Sequence, residues 1–260
     1  MKIKFQILSI CLAFVIHSQN IAQGSAGSDA SSELRSLVDI PTAGVLESGN
    51  LGLSFEAMQY GIFSTKVELG LFKNFNLGVS YGGSKIIGTG NPDFYPMPGF
   101  HAKFRVFTET KTIPSITFGF NSQGKGKHLD SLNRYEIKSP GVYTSFSKNY
   151  KLLGYFSLHA TANYSFERKD GDENINIGFG FEKTIGPTVS LVAEYDFALN
   201  DNSKNSLGDG KGYFNVGIRW AASYGLTIGL DFRNIFENKV SQTYTGPERA
   251  LIINYVRNIF

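Results

Sequence analysis

The sequence predicts an all-β protein, a single antiparallel up-and-down transmembrane β-barrel of about 12 strands with both termini on the periplasmic side. Apolar and polar residues alternate with a period of two in many segments, which is typical of strands with two different faces. Short and long connections also alternate along the chain. After the first 24 residues, no apolar run is long enough for a membrane-spanning helix, which needs about 20 residues.

The first 24 residues have the pattern of a secretory signal peptide. Lys2 and Lys4 give a positive start, and a mostly apolar stretch over residues 5–16 follows. The one cysteine of the chain, Cys11, lies in this stretch, so a processed chain would contain none. We therefore expect no disulfide, no thiolate catalysis and no cysteine metal site.

The remaining chain is predicted to divide into two parts. Residues 25–36 are rich in Ser with Gly, Ala and charged residues, a composition typical of a flexible linker. The expected division is a signal peptide over 1–24, a flexible N-terminal segment over 25–46 and an outer-membrane β-barrel over 47–260.

Each predicted strand has one apolar face and one small or polar face. In one example, Phe75, Leu77, Val79 and Tyr81 alternate with Asn, Gly and Ser. Most of these segments are close to the roughly 9–11 residues that a tilted strand needs to cross a bilayer. The twelve predicted strands cover 51–58, 64–72, 75–83, 100–108, 112–121, 140–148, 152–166, 173–183, 187–198, 211–220, 225–234 and 250–259.

The predicted connections differ in length between the two ends of the strands. Those after even-numbered strands are short, such as 73–74, whereas most after odd-numbered strands are long and polar, such as 84–99 and 122–139. The connections 59–63 and 167–172 are exceptions. Outer-membrane barrels have this pattern, with the short turns in the periplasm. We expect a protein of a Gram-negative outer membrane in contact with its lipid; the alternative is a secreted β-sandwich.

Residues 37–51 read LVDIPTAGVLESGNL and resemble the opening motif of the YjbH-like outer-membrane proteins, in which a Pro-Thr/Ser-Ala step precedes an acidic turn and the first strand. Further similar stretches are 91–92 with 98–100, 119–124, 138–141 and 193–196. The resemblance implies an outer-membrane barrel that assists export or assembly of extracellular polysaccharide. It also implies partners among envelope or polysaccharide-export proteins, and it supplies no catalytic residues.

The motif Pro41, Thr42, Ala43 and Gly44 has two interpretations. Pro41 fixes its backbone φ angle and the turn residues that follow favour a structural entry into the first strand. The functional alternative is a periplasmic contact site or a partial plug of the barrel.

Charged residues gather on the predicted interior face. Because neighbouring strands lie about 4.8 Å apart, these groups could pair across strands. One interpretation is a salt-bridge network that fills a narrow lumen, since an unpaired buried charge is costly. The other is a polar pore lining that selects solutes. The candidate residues are Glu194, Asp196, Arg219, Asp231, Arg233, Lys66, Glu68, Lys103 and Arg105.

One constellation could support lipid hydrolysis. Ser157 and His159 lie two residues apart and share a strand face with Asn163, and Glu167 follows at the strand end. A neutral His could accept the Ser proton if a third group held its tautomer. The alternative is a hydrogen-bonded lumen histidine without a catalytic role.

The expected function is that of a non-enzymatic outer-membrane protein assisting surface-polysaccharide export or assembly; a porin-like passive channel and the hydrolase are the alternatives. The formal net charge is +3 without a clustered basic face, so we expect no nucleic-acid partner. We also expect no cofactor and no metal, because no histidine pair has metal-ligand spacing with carboxylates.

Overall fold

The computed structural model describes residues 26–239 and 247–259, and the predicted signal peptide over 1–24 lies outside them. Twelve strands form an antiparallel barrel, and three short strands lie in its connections. The barrel strands are β1 (Asn50–Met58), β2 (Ile62–Phe72), β3 (Phe75–Ser84), β5 (Gly99–Phe107), β6 (Ser115–Asn121), β9 (Gly141–Lys151), β10 (Tyr155–Tyr164), β11 (Asn176–Ile185), β12 (Val189–Asp196), β13 (Tyr213–Ser223), β14 (Leu226–Arg233) and β15 (Glu248–Asn258). The short strands are β4 (Asp93–Phe94), β7 (Lys125–Leu129) and β8 (Arg134–Ile137).

The barrel is closed by its first and last strands. β1 pairs with β15 over the register from Asn50↔Asn258 to Met58↔Ala250, and it also pairs with β2. Every other barrel strand pairs with the strands before and after it in the barrel. The predicted fold class, a twelve-stranded antiparallel up-and-down barrel, is confirmed. Each predicted strand overlaps an observed one, and no strand end differs by more than three residues, as between 112 and Ser115.

The connections sort by length as the sequence predicts. We call one end of the barrel the short-turn end, because short turns there join β2–β3, β5–β6, β9–β10, β11–β12 and β13–β14. The start of β1 and the end of β15 also lie at this end. The opposite end carries longer connections and is the long-loop end. A 3-10 turn over Gln59–Gly61 joins β1 to β2 at this end, and the β7–β8 hairpin lies in the β6–β9 connection. The sequence predicts loop in place of that hairpin.

The two faces of the barrel wall have opposite polarity. Interior positions carry buried polar residues such as Thr117, Ser145, Ser190 and Asn215, each at most 1% exposed. Large apolar side chains face outward and are 40–56% exposed, including Leu77, Val79, Phe118, Phe179, Leu191, Ile218 and Leu230. A sandwich in water would bury these side chains, so an apolar belt around a closed barrel requires lipid. This is the architecture of a transmembrane barrel.

No helix within residues 26–239 and 247–259 is long and apolar enough to cross a membrane.

Residues 26–46, the lumen segment, lie inside the barrel. Ser28 and Asp29 donate backbone N–H bonds to the β11–β12 turn at the short-turn end, and the segment returns to that end at Glu47 beside β2. In between it folds back on itself, with a bridge between Ser36 and Pro41. The sequence predicts a flexible linker over 25–36 within a flexible N-terminal segment over 25–46. In the structure, eight apolar residues of the lumen segment are buried inside the barrel: Ala26, Leu34, Leu37, Val38, Ile40, Ala43, Val45 and Leu46.

Candidate functional site in the barrel lumen

Residues 37–40 form the tip of the lumen segment, between the bridged residues Ser36 and Pro41, and one wall carboxylate binds this tip. Glu194 on β12 is 1% exposed and accepts backbone N–H bonds from three consecutive residues, Val38 at 2.9 Å, Asp39 at 2.8 Å and Ile40 at 3.1 Å. Asn215 on β13 also donates its side-chain amide to Glu194, at 2.8 Å. Because a carboxylate offers about four lone-pair positions, these four donors use its full capacity. Glu194 thus fixes the backbone of the tip.

The side chain of Asp39 connects this tip to both the wall and the long-loop end. Its Oδ1 lies 3.0 Å from Nε of Arg233 on β14 and 2.9 Å from Nζ of Lys125 on β7. Arg233 also forms an ion pair with Glu56 on β1, and Lys125 donates to the carbonyl of Val38 at 2.7 Å. The β7–β8 hairpin therefore contacts the lumen segment from the side opposite to its entry.

Close packing of the tip against the wall depends on two glycines of β11. A Cβ atom at Gly180 would lie 2.4 Å from Cδ1 of Leu37, and one at Gly178 would lie 2.4 Å from Cδ1 of Ile40. Arg219 on β13 donates to the carbonyl of Leu37 at 2.7 Å and pairs with Asp231 on β14. Small wall residues thus make room for the segment, and a paired arginine binds its backbone.

Basic residues of β5 bind the segment on the other side of the lumen. Nζ of Lys103 donates to the carbonyls of Arg35, Thr42 and Gly44 at 3.0–3.1 Å. Arg105 donates to the carbonyl of Ala43 and forms an ion pair with Glu33. A further pair, Arg35–Glu68 at 2.9 Å, joins the segment to β2, and Glu68 also pairs with Lys66 of the same strand at 3.1 Å.

The Pro41–Gly44 motif lies in the middle of these contacts. The carbonyl of Pro41 accepts hydroxyl bonds from Ser145 at 3.0 Å and Thr161 at 2.6 Å. The N–H of Ala43 donates to Oγ of Ser147 at 2.9 Å, and a Cβ atom at Gly44 would collide with the carbonyl of Leu34, at 2.1 Å. The wall therefore encloses the motif within the lumen, and its role as a structural entry into the first strand, a periplasmic contact site or a partial plug stays a prediction.

The nine predicted lumen charges fall into two groups. Eight contact the lumen segment or one another: Lys66, Glu68, Lys103, Arg105, Glu194, Arg219, Asp231 and Arg233. The ninth, Asp196, instead accepts bonds from Asn176 at 2.7 Å and from the N–H of Ala198 at 2.8 Å, at the long-loop end.

The sequence predicts charge pairing between neighbouring strands, but it does not predict the partners that the lumen segment provides. These partners are Glu33, Arg35 and Asp39, and two more are Glu56 of β1 and Lys125 of the β7–β8 hairpin. One signal could have identified them: the predicted linker carries charges of both signs beside a barrel with surplus interior charge.

The predicted Ser–His pair does not meet in the structure. Ser157 donates to Oδ1 of Asn149, while Nδ1 of His159 lies 2.7 Å from Oγ of Ser147. Asn163 donates to the carbonyl of Pro140 at 3.1 Å, and Glu167 accepts the N–H groups of Tyr135 and Ser139. Each of the four predicted residues therefore has a separate structural partner.

A second buried charge cluster, the loop clasp, ties connections together at the long-loop end. It consists of Arg134, Lys138, Asp170, Asp172 and Asp201. Nη1 of Arg134 lies 2.6 Å from Asp170 and 2.5 Å from Asp201, and Lys138 lies 2.8 Å from Asp170. Asp172 accepts the N–H groups of Asn202 and Ser203. The clasp joins the β7–β8 hairpin to the β10–β11 and β12–β13 connections.

The loop clasp should loosen in acid. Burial alone would raise the pKa of Asp170, but hydrogen bonds from Lys138 and from the N–H of Asp172, with the charges of Lys138 and Arg134, hold that pKa below its ordinary value. Its stabilising contribution is thus complete above the unfolded pKa of about 3.9 and is lost as the pH falls through the lower folded value. We expect the amide-exchange protection of residues 165–175, corrected for intrinsic exchange rates, to fall as the pH is lowered from about 5 to about 2. This range lies on both sides of the ordinary Asp pKa of about 3.9.

Asp170→Asn is the control for this pH dependence, because it removes the titrating group. Burial raises the pKa of Glu167, so its contribution has the opposite sign and lies at higher pH than that of Asp170. An unchanged acid profile in Asp170→Asn would assign the pH dependence to another group.

Cavities remain between the lumen segment and the wall. One of about 150 Å³ is lined by Lys66, Glu68, His101 and Lys103, and another of about 70 Å³ lies near Pro41. A third, of about 290 Å³, opens at the short-turn end. Across residues 26–239 and 247–259, no group of three or more His, Cys, Asp or Glu side chains could hold a metal ion.

Comparison with known proteins yields similar structures only. No family model matches the chain, and no curated protein matches it. The KdgM porin has 11% sequence identity and a TM-score of 0.48 over 79% of this chain and 98% of that one. The NanC porin has 7% identity and a TM-score of 0.42, covering 81% and 100% of the two chains. Omp33 of Acinetobacter baumannii has 9% identity and a TM-score of 0.42, covering 81% and 97%. The fold described above rests on the strand pairing of this chain itself.

Proposed function

We propose that this protein is a non-enzymatic, porin-like channel of a Gram-negative outer membrane that passes small polar solutes when its lumen segment moves aside. The observation that carries the proposal is the chemistry of the contact between segment and wall. That contact consists mainly of hydrogen bonds and ion pairs, such as those of Glu194 and Lys103. Water can replace such partners, whereas it cannot replace an apolar core.

The interior would stay compatible with water after the segment leaves. The wall exposes hydroxyls, amides and charges inward, including Ser145, Thr161 and Asn215. One small buried apolar cluster opposes release, in which Leu34, Leu37 and Val38 meet Val192 of the wall. A polar interior inside an apolar exterior is the distribution of a water-filled barrel.

The conductance of a planar bilayer tests the proposal. We expect low conductance from the full protein and a several-fold increase when residues 26–46 are deleted, because the deletion removes the chain that occupies the lumen. A synthetic peptide of residues 26–46 added to the deletion variant should restore the low conductance, and a scrambled peptide of the same composition should not. A shift between unheated and boiled samples in SDS gels checks that each variant forms a barrel. Equal, low conductance of both folded forms would contradict the channel.

Assistance of polysaccharide export, implied by the YjbH-like resemblance, stays a prediction. Pro41–Gly44, which is part of the 37–51 stretch that carries the resemblance, is enclosed by the wall, and the channel proposal does not use it as a partner site. Under the channel proposal, deletion of the gene leaves surface polymer unchanged. The hydrolase alternative has the least support, because Ser157 and His159 bind different partners.

A further inference from the structure

We propose that the short-turn end of the lumen contains a binding site for a small organic cation with one ammonium group. The site is the cavity of about 290 Å³ between the lumen segment and the wall, here the vestibule. Its lining includes Glu33, Arg105, Glu109, Asn149, His159 and Glu182. The vestibule is roughly twice the ~150 Å³ of an engineered cavity that accepts benzene, so a short alkylammonium ion fits.

Glu182 supplies the charge that attracts a cation. Its side chain is on β11 and is 3% exposed; its Oε1 accepts the hydroxyl of Ser190 at 2.6 Å and the N–H of Ala26 at 3.4 Å. No ion pair within the described part of the chain includes Glu182, and Arg219 is occupied by Asp231 and a carbonyl. A buried carboxylate without a counter-ion is costly, and a bound ammonium group would supply that counter-ion.

His159 supplies an unused hydrogen-bonding atom in the same place. The residue is 7% exposed, and its Nε2 is buried without a hydrogen-bond partner. In the tautomer whose Nδ1–H donates to Ser147, Nε2 is an acceptor for an ammonium N–H. Strand register places His159 opposite Gly180, so Glu182 is its diagonal neighbour across β10 and β11, about 7–8 Å away. One ammonium group can therefore lie between the two side chains.

The other charges of the vestibule are already balanced. Glu33 pairs with Arg105, which also donates to the carbonyl of Ala43. Glu109 lies 3.1 Å from Nζ of Lys148 and accepts hydrogen bonds from the backbone N–H and the side-chain amide of Asn149. The remaining charge is that of Glu182, so the vestibule favours a single positive charge over an anion.

Isothermal titration of the detergent-purified full protein tests the site. We expect saturable binding of butylammonium at one site, and at least tenfold weaker binding of 1-butanol, which has the same chain length without the charge. Glu182→Gln should weaken butylammonium binding at least tenfold. The matched control Glu173→Gln changes an exposed carboxylate at the long-loop end and should bind as the unmodified protein does.

A second variant covers the case in which Glu182→Gln fails to form a barrel. His159→Phe keeps the carboxylate but removes Nε2 and fills part of the vestibule, and it should also weaken binding at least tenfold. Absence of saturable binding, equal binding of 1-butanol, or full binding by a folded Glu182→Gln would each overturn the proposal. Binding is measured without current, so a barrel that binds butylammonium but never conducts would contradict the channel and leave this site standing.

Discussion

Replacing Glu194 with Ala should release the tip of the lumen segment and raise the conductance of the barrel several-fold. The substitution leaves the N–H groups of Val38, Asp39 and Ile40 without their shared acceptor in a buried place. An unsatisfied buried donor costs about 1–3 kcal/mol, so three of them should favour a state in which the tip is hydrated. Single-channel recording measures the conductance, and proteolysis from the short-turn side measures access to the segment.

The same strand provides the control for this prediction. Asp196 is another carboxylate of β12, two residues beyond Glu194, and it contacts Asn176 and Ala198 rather than the lumen segment. Asp196→Ala should therefore leave both conductance and cleavage of the segment unchanged. If the two variants conduct equally, the wall carboxylate is not what holds the segment in place.

The barrel could be predicted from sequence because the polarity that its strands require alternates with a period of two residues. Lipid outside and polar groups inside require a change of polarity at every residue, so alternation such as that of Phe75 to Tyr81 is visible in the chain itself. The lengths of the turns and loops further predict which end of the barrel faces the periplasm. Strand ends are less sharply encoded, which is why β6 begins at Ser115 rather than at 112.

The position of the lumen segment could not be predicted in the same way. Lys103 and Glu194 bind backbone carbonyl and N–H groups, which every residue offers, so these contacts leave little trace in the segment's side chains. Ser and Gly near residue 28 favour a linker on composition alone. Gly178 and Gly180 are the wall residues that leave space for Ile40 and Leu37 of the segment. A glycine in a strand does not by itself indicate which residue packs against it, so the sequence does not predict these contacts.

The sequence does not predict the β7–β8 hairpin, for a related reason. Its strands have only five and four residues, and they lie within a polar stretch without a clear apolar face. Its stability comes from distant residues of the loop clasp and from the contacts of Lys125 with the lumen segment. Such long-range charge pairs are not periodic, so no local pattern predicts them.

Replacing Arg134 with Met should open the loop clasp while leaving the barrel closed. Arg134 is fully buried, and its removal leaves Asp170 and Asp201 without the guanidinium between them. Breaking a buried ion pair on one side costs about 3–5 kcal/mol, because the remaining charge is uncompensated. We expect rapid proteolysis within 165–175 and 197–212, with the barrel still resistant to SDS before heating.

Two comparisons separate this electrostatic effect from a general loss of packing. Arg168→Met, in the same connection, removes an exposed ion pair with Glu173 at 3.4 Å and should leave proteolysis nearly unchanged, since water already screens that pair. Adding Asp201→Asn to Arg134→Met should recover part of the resistance, because it removes one of the two uncompensated carboxylates. A double variant as sensitive as the single one would mean that the shape of Arg134, rather than its charge, holds the connections together.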